Sequence, residues 1–98
     1  MTSSPPLTAE FIAEALRDLP DWDYCDDALH CSLRFSTFVD AIAFMVRGSF
    51  AAEALNHHPE WTNVYDRVSI RLTTHEVENR VTARDLNLAR RLNALRYP

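Results

Sequence analysis

Two stretches of alternating apolar and polar residues limit the possible fold more than any other feature of the chain. Between residues 29 and 35, and again between 68 and 72, every second side chain is apolar. A period of two is typical of a β-strand that buries one face and exposes the other. We therefore expect a sheet with one covered face and one open face.

Three other segments have the spacing of amphipathic helices. Each starts after polar residues that can cap it: Thr8, then Ser36 or Thr37, then Thr82 with Asp85 in a capping box. Pro20 stops the first helix, and Pro59 prevents the second from continuing past residues 55–56. The second helix has a predicted apolar stripe of Phe38, Ala41, Ile42, Met45, Ala52 and Leu55.

The remaining segments complete the predicted topology. Residues 21–27 form an acidic turn or short edge strand, and residues 61–65 form a strand joined to the next by a turn at Asp66-Arg67. The order is α-β-β-α-β-β-α, with connections short enough for antiparallel pairing. We predict an α+β domain over residues 7–98, with three helices on one face of a four-stranded antiparallel sheet, after a disordered lead-in at 1–6.

The composition narrows the class of protein. The net charge of −4 argues against unaided nucleic-acid binding. The sequence has no apolar run of membrane-spanning length and no signal-peptide pattern, so we expect no membrane partner and a cytoplasmic location. Cys25 and Cys31 are expected to be reduced thiols. Gly48, the single glycine, is expected to allow close contact with another backbone.

His57, His58 and His75 are three of the four histidines, and they lie within nineteen residues. Imidazole can both donate and accept protons near neutral pH, because its unperturbed pKa is ~6.5. A hairpin of the two last strands would put Trp61 and His75 at the same end, close to the His57-His58 pair, whose exit angle Pro59 would fix. The pattern predicts three imidazoles at one sheet edge and acid–base chemistry there.

Two alternatives stay open at this point. A metal site built from His57, His75 and either Asp85 or Glu60 is disfavoured, because adjacent histidines diverge and rarely share one metal. Trp61 is either a packing residue or a stacking wall beside the site, and packing is the more common use. Neither His57 nor His75 lies on a predicted core face, so replacing either is expected to leave the fold intact.

The runs from Ala52 to Trp61, which includes His-His-Pro-Glu-Trp, and from Leu72 to His75, followed by Thr82-x-x-Asp85, resemble the pterin-4a-carbinolamine dehydratase family. The resemblance implies a homodimer or homotetramer that needs no metal or organic cofactor. The implied reaction converts 4a-hydroxytetrahydropterin to quinonoid dihydropterin, in recycling of the pterin used by aromatic amino-acid hydroxylases. Which tetrahydropterin is physiological does not follow from the sequence.

The resemblance also implies roles for individual residues. His57 and His75 would protonate the leaving hydroxyl, and His58 would be the base or would orient the pterin. The implied substrate-binding residues are Asn56, Trp61, Thr73, Thr74 and Glu76, and the residues implied to support them are Glu53, Pro59 and Asp85. Glu53 stands one helical turn before His57 and could orient an imidazole.

Two features depart from the family pattern. Asn56 stands where some members have Asp, and residues 77–81 replace a shorter turn that contains glycine. Some relatives are assembly or dimerisation factors, so a non-catalytic scaffold with the same fold is the competing function. The retention of all three histidines favours catalysis.

Overall fold

The computed structural model describes residues 4–96. The elements in chain order are α1 (Ala9–Ala15, extended by a 3₁₀ turn at Leu16–Asp18), β1 (Trp22–Cys25), β2 (Ala28–Arg34), α2 (Phe38–Leu55), β3 (Glu60–Val64), β4 (Arg67–Leu72), a 3₁₀ turn (His75–Val77) and α3 (Ala83–Leu95). This order confirms the predicted α-β-β-α-β-β-α sequence of elements. Of the predicted lead-in, residues 1–3 lie outside the described residues, while Pro6 forms an isolated antiparallel bridge with Thr82.

The four strands form one antiparallel sheet in the order β1-β2-β4-β3. The register pairs Cys31 with Ile70 and Ser32 with Ser69, so the alternating pattern gives each face of the sheet a different character. The apolar face is buried beneath the helices, whereas the two serines are exposed. The expectation of one covered and one open face is confirmed.

The helix boundaries follow from the capping residues. Thr8, Thr37 and Thr82 each accept a backbone amide hydrogen bond at the start of a helix, so Thr37 rather than Ser36 caps α2. The Thr82 box is complete, since the Asp85 carboxylate accepts the Thr82 amide in return. Asn56 ends α2 in the left-handed conformation that asparagine tolerates. Within residues 4–96, no helix is long and apolar enough to cross a membrane.

The hairpin turn between β3 and β4 lies one residue earlier than predicted. Its two residues are Tyr65 and Asp66, whereas Arg67 already belongs to β4 and pairs with Val64. The polar character of Asp66-Arg67 favoured the wrong pair. The pairing that closes the hairpin at Val64 and Arg67 keeps Ile70 on the buried face, and Tyr65 takes a positive φ of 52° to close the turn.

The predicted apolar stripe of α2 was only partly correct. Ala41 and Ala52 are buried as expected, but Phe38 and Ile42 are exposed, and Phe44 is fully buried in their place. The helix carries apolar side chains on nearly every face, so their spacing alone cannot tell which side meets the sheet.

Gly48 makes its close contact with side chains, not with another backbone as expected. A Cβ at this position would lie 2.9 Å from Leu92 Cδ2 and 3.1 Å from Trp61 Cη2. The glycine therefore lets α2 pack closely against Leu92 of α3 and the Trp61 indole of β3. Phe44 adds an edge-on ring contact to the same indole, with centroids 6.4 Å apart.

Candidate active site

The end of α2 and the end of β4 meet at one edge of the sheet. After the left-handed Asn56, the amide of His57 donates to the Ala52 carbonyl (3.0 Å), which turns the chain sharply toward β3. A cavity of about 120 Å³ lies between the two ends, and its lining consists of Asn56, His57, His58, Thr73, His75, Glu76 and Arg84. The three histidines that the sequence singled out therefore line one cavity.

His57 is the buried member of the three. Its side chain is 6% exposed, and Nε2 lies 2.5 Å from Oδ1 of Asp85, which is fully buried. The other carboxylate oxygen, Oδ2, accepts the Thr74 hydroxyl (2.7 Å) and the Thr82 amide (2.9 Å). A carboxylate that several donors hold in place can fix the ring orientation of its imidazole partner.

His58 points to a different carboxylate. Its Nε2 lies 2.7 Å from Oε1 of Glu53, and both side chains are mostly exposed. Glu53 therefore orients the imidazole of His58, although it stands one helical turn before His57. An exposed pair of this kind contributes little to stability, but it can orient the ring.

His75 lies just beyond the end of β4. β4 ends at Leu72, and His75 begins the 3₁₀ turn, where it is exposed and its Nδ1 lies 2.6 Å from Oδ1 of Asn79. Asn79 belongs to the segment that departs from the family pattern, and it takes a positive φ of 57°. A bridge between Thr74 and Arg80 closes this segment on itself. The departing segment thus supplies the partner of one site histidine.

Arg84 is a site residue that the sequence reasoning passed over. Its guanidinium donates to the Asn56 carbonyl and lies 3.6 Å from the Glu76 carboxylate, so it connects opposite walls of the cavity. The pKa of Glu76 is lowered, first by its own backbone amide and then by Arg84, although this side chain is mostly exposed. The only signal in the sequence was that Arg84 stands next to Asp85 in the first turn of α3.

Three other predicted residues lie beside the cavity or beneath it. Trp61 is half-buried and packs below Gly48. Thr74 is fully buried, with its hydroxyl on Asp85. Pro59 lines neighbouring depressions with Trp61. Their side chains do not line the histidine cavity. Thr73 does, and its hydroxyl donates to the Asp27 carbonyl (3.0 Å).

The residues considered for a metal site make hydrogen bonds or ion pairs with other side chains. In the part of the chain from 4 to 96, no group of three or more His, Cys, Asp or Glu side chains is arranged to hold a metal ion. Glu60, one candidate ligand, pairs instead with Arg71 at 2.6 Å. Asp85 is engaged by His57, Thr74 and Thr82.

A four-stranded antiparallel sheet beneath three helices, with imidazoles from a helix end and a strand end at one edge, defines a small α+β domain with a candidate acid–base site. The family model for pterin 4 alpha carbinolamine dehydratase matches residues 5–95. This chain belongs to that family.

Individual relatives agree with the family model. A protein of Opitutus terrae with a provisional pterin-4-alpha-carbinolamine dehydratase name is 50% identical over 91 residues, which is 93% of this chain and 94% of its own. A relative of the same provisional name from Rhizorhabdus wittichii is 48% identical, over 95% and 97% of the two chains. A crystal structure from Brucella melitensis, described as a transcriptional coactivator/pterin dehydratase, has a TM-score of 0.87 at 43% identity and covers 92% of this chain and 97% of its own.

Proposed function

We propose that this chain dehydrates 4a-hydroxytetrahydropterin to quinonoid dihydropterin, as a hydro-lyase, by histidine acid–base catalysis. The observation that carries the proposal is the grouping of three imidazoles around one cavity, with separate carboxylates behind two of them. In the reaction the C4a–O bond breaks, the hydroxyl leaves as water, and loss of the N5 proton allows a C4a=N5 double bond to form.

Different histidines act on the two protons. His57 and His75 protonate the departing hydroxyl, and His58 accepts the N5 proton or orients the pterin. The buried Asp85 carboxylate holds the His57 ring in a fixed orientation at the cavity wall. Each such group typically contributes about 10²- to 10⁴-fold to the rate. The substrate loses one proton and its hydroxyl takes up another, with no electrons transferred to or from it. Because histidines carry out both proton transfers, the proposed mechanism uses no metal or organic cofactor.

Only one edge of the pterin enters the cavity. The volume of about 120 Å³ is well below the ~300–1,000 Å³ of typical ligand pockets, so the rest of the substrate lies outside. Asn56, Thr73 and Glu76 supply polar groups along the wall, and Arg84 joins them. Thr74 contributes by holding Asp85 in place. Trp61 contributes by packing beneath the surface next to the cavity.

The protein acts as a homodimer or homotetramer within the proposed function. Exposed apolar side chains recur along α2 at Val39, Ile42, Val46 and Phe50, a spacing that suits packing against a second copy of the same helix. A cytoplasmic pterin-recycling role beside an aromatic amino-acid hydroxylase is the expected setting. Light scattering on the purified protein tests the self-association, and a strictly monomeric protein would contradict it.

The enzyme proposal is tested by stopped-flow kinetics with chelator-treated protein and freshly generated 4a-hydroxytetrahydropterin. We expect acceleration over the spontaneous reaction, and a fall of at least ~10²-fold in kcat for His75→Ala, whose exposed side chain the fold does not need. His30→Ala is the matched control, because this fourth histidine contacts the Cys25 carbonyl and is not part of the cavity lining. A loss of less than threefold in His75→Ala would remove His75 from the mechanism.

A non-catalytic scaffold is the second candidate function. The exposed apolar side chains of α2 favour an interaction role, and the related Brucella melitensis protein is described as a transcriptional coactivator/pterin dehydratase. Folded protein that gives no acceleration in the same assay would favour this function. Acceleration that falls in His75→Ala but not in His30→Ala would favour the enzyme.

A further inference from the structure

A second polar cavity, of about 270 Å³, lies at the other end of the sheet. Three arginines from three elements bound it: Arg34 at the end of β2, Arg47 in α2 and Arg96 just after α3. Along β2, Arg34 lies five positions after Leu29, which is at the histidine end, and five steps span roughly 16 Å. This arginine cavity is therefore separate from the proposed acid–base site and does not depend on it.

Of the three arginines, Arg47 has the charge that is least balanced by carboxylates. One terminal nitrogen donates to the Leu95 carbonyl at 3.0 Å, and no carboxylate of residues 4–96 lies within ion-pair distance. Its Nε is buried and has no hydrogen-bond acceptor in the same part of the chain. A half-buried guanidinium that lacks an anion, with one donor unmet, is costly to maintain.

The other two arginines are balanced by carboxylates to different degrees. Arg96 pairs with Asp21. Arg34 is mostly exposed, and its Nε lies 3.8 Å from the Asp66 carboxylate, which is a loose contact. Asp21 balances the charge of Arg96, so the loosely paired Arg34 is the arginine that adds to the positive potential that Arg47 creates in the cavity.

We infer that the arginine cavity binds a compact oxyanion, either a phosphate monoester or a carboxylate. Planar guanidinium groups match the oxygen geometry of both, and the hydroxyl of Ser36 adds a donor at the wall. A volume near the lower limit of ligand pockets suits a small molecule, with the Phe35 side chain as an apolar contact. Asp40 also lines the cavity and repels an anion, so the oxyanion sits on the arginine side.

Titration with inorganic phosphate at constant ionic strength tests this site, followed through the backbone amide NMR signals of residues 34–36. We expect saturable shifts in the wild type, and binding weaker by about tenfold or more in Arg47→Gln, because a hydrogen bond to a charged group is lost. Arg90→Gln is the matched control, since it removes one exposed arginine from α3 outside this cavity and should bind as the wild type does.

Asp40→Asn tests the same site from the other direction and covers the case in which Arg47→Gln does not fold. Removing the repelling carboxylate should tighten phosphate binding several-fold. A parallel titration with acetate distinguishes the two ligand sources: saturation by phosphate alone assigns a phosphate monoester, and saturation by acetate assigns a carboxylate. Shifts that never saturate, or equal affinities in the wild type, Arg47→Gln and Asp40→Asn, would overturn the inference.

Discussion

Replacing His57 with alanine should destabilise the fold as well as slow the proposed reaction. The sequence suggested that this change would spare the fold, but the structure buries the ring against Asp85, at 2.5 Å. Removing one partner of a buried pair typically costs ~3–5 kcal/mol. Asp85 keeps two donors, Thr74 and Thr82, so we expect the free energy of unfolding to fall by about 2–3 kcal/mol.

Urea denaturation of His57→Ala measures this loss directly. In a domain of this size the same change corresponds to a Tm lower by roughly 10–20 °C. His75→Ala is the control for removing an exposed imidazole, and its stability should stay within about 0.5 kcal/mol of the wild type. A loss of less than about 1 kcal/mol in His57→Ala would refute the reasoning, because the buried pair would then carry no net stabilisation.

A double-mutant cycle isolates the contact between the two side chains. Asp85→Asn alone also weakens the capping box of α3, but that contribution cancels when His57→Ala is measured in both backgrounds. We expect a coupling free energy of about 1 kcal/mol or more. Effects that add to within about 0.5 kcal/mol would mean that the two groups do not stabilise each other.

Three further predictions concern other positions. Gly48→Ala gains about 1 kcal/mol of helix propensity but crowds Leu92 at 2.9 Å, so urea denaturation should show a net loss of about 1 kcal/mol; a more stable variant would contradict the packing. Asn56 has a φ of 50°, so Asn56→Ala should cost about 1 kcal/mol in the same assay and Asn56→Gly much less; equal costs would exclude a backbone effect. Burial raises the pKa of the Cys31 thiol to about 12, so its reactive thiolate is scarce at pH 8. Iodoacetamide should then label the exposed Cys25 first in folded protein, and equal rates would contradict this prediction.

The sheet and the helix starts were predictable because each depends on a few neighbouring residues. Strict alternation in β2 and β4 fixed which face would be buried, and Thr82 with Asp85 fixed the start of α3. The orientation of α2 was not predictable in the same way. Its exposed Phe50 and buried Phe44 are equally apolar, and only contact with the sheet and α3 distinguishes them.

The sequence also predicted only part of the candidate site. The meeting of His57, His58 and His75 followed from chain direction, because the strands that flank them form one hairpin. The positions of Arg84 and Asn79 did not, because each reaches its partner through side-chain geometry that spacing does not encode. Periodicity also placed His57 outside the core, and this was wrong. The ring is buried by Asp85 of α3, a distant part of the chain that local spacing does not include.

Asp85 connects the stability of α3 with the chemistry proposed for His57. One carboxylate oxygen closes the capping box with the Thr82 amide and accepts the Thr74 hydroxyl, while the other receives the imidazole. A change that loosens the start of α3 therefore also shifts a proposed catalytic ring. Arg84, the next residue toward the helix start, reaches across the cavity to Asn56. Variants of α3's first turn should consequently lose activity and stability together, whereas His75→Ala should lose activity alone.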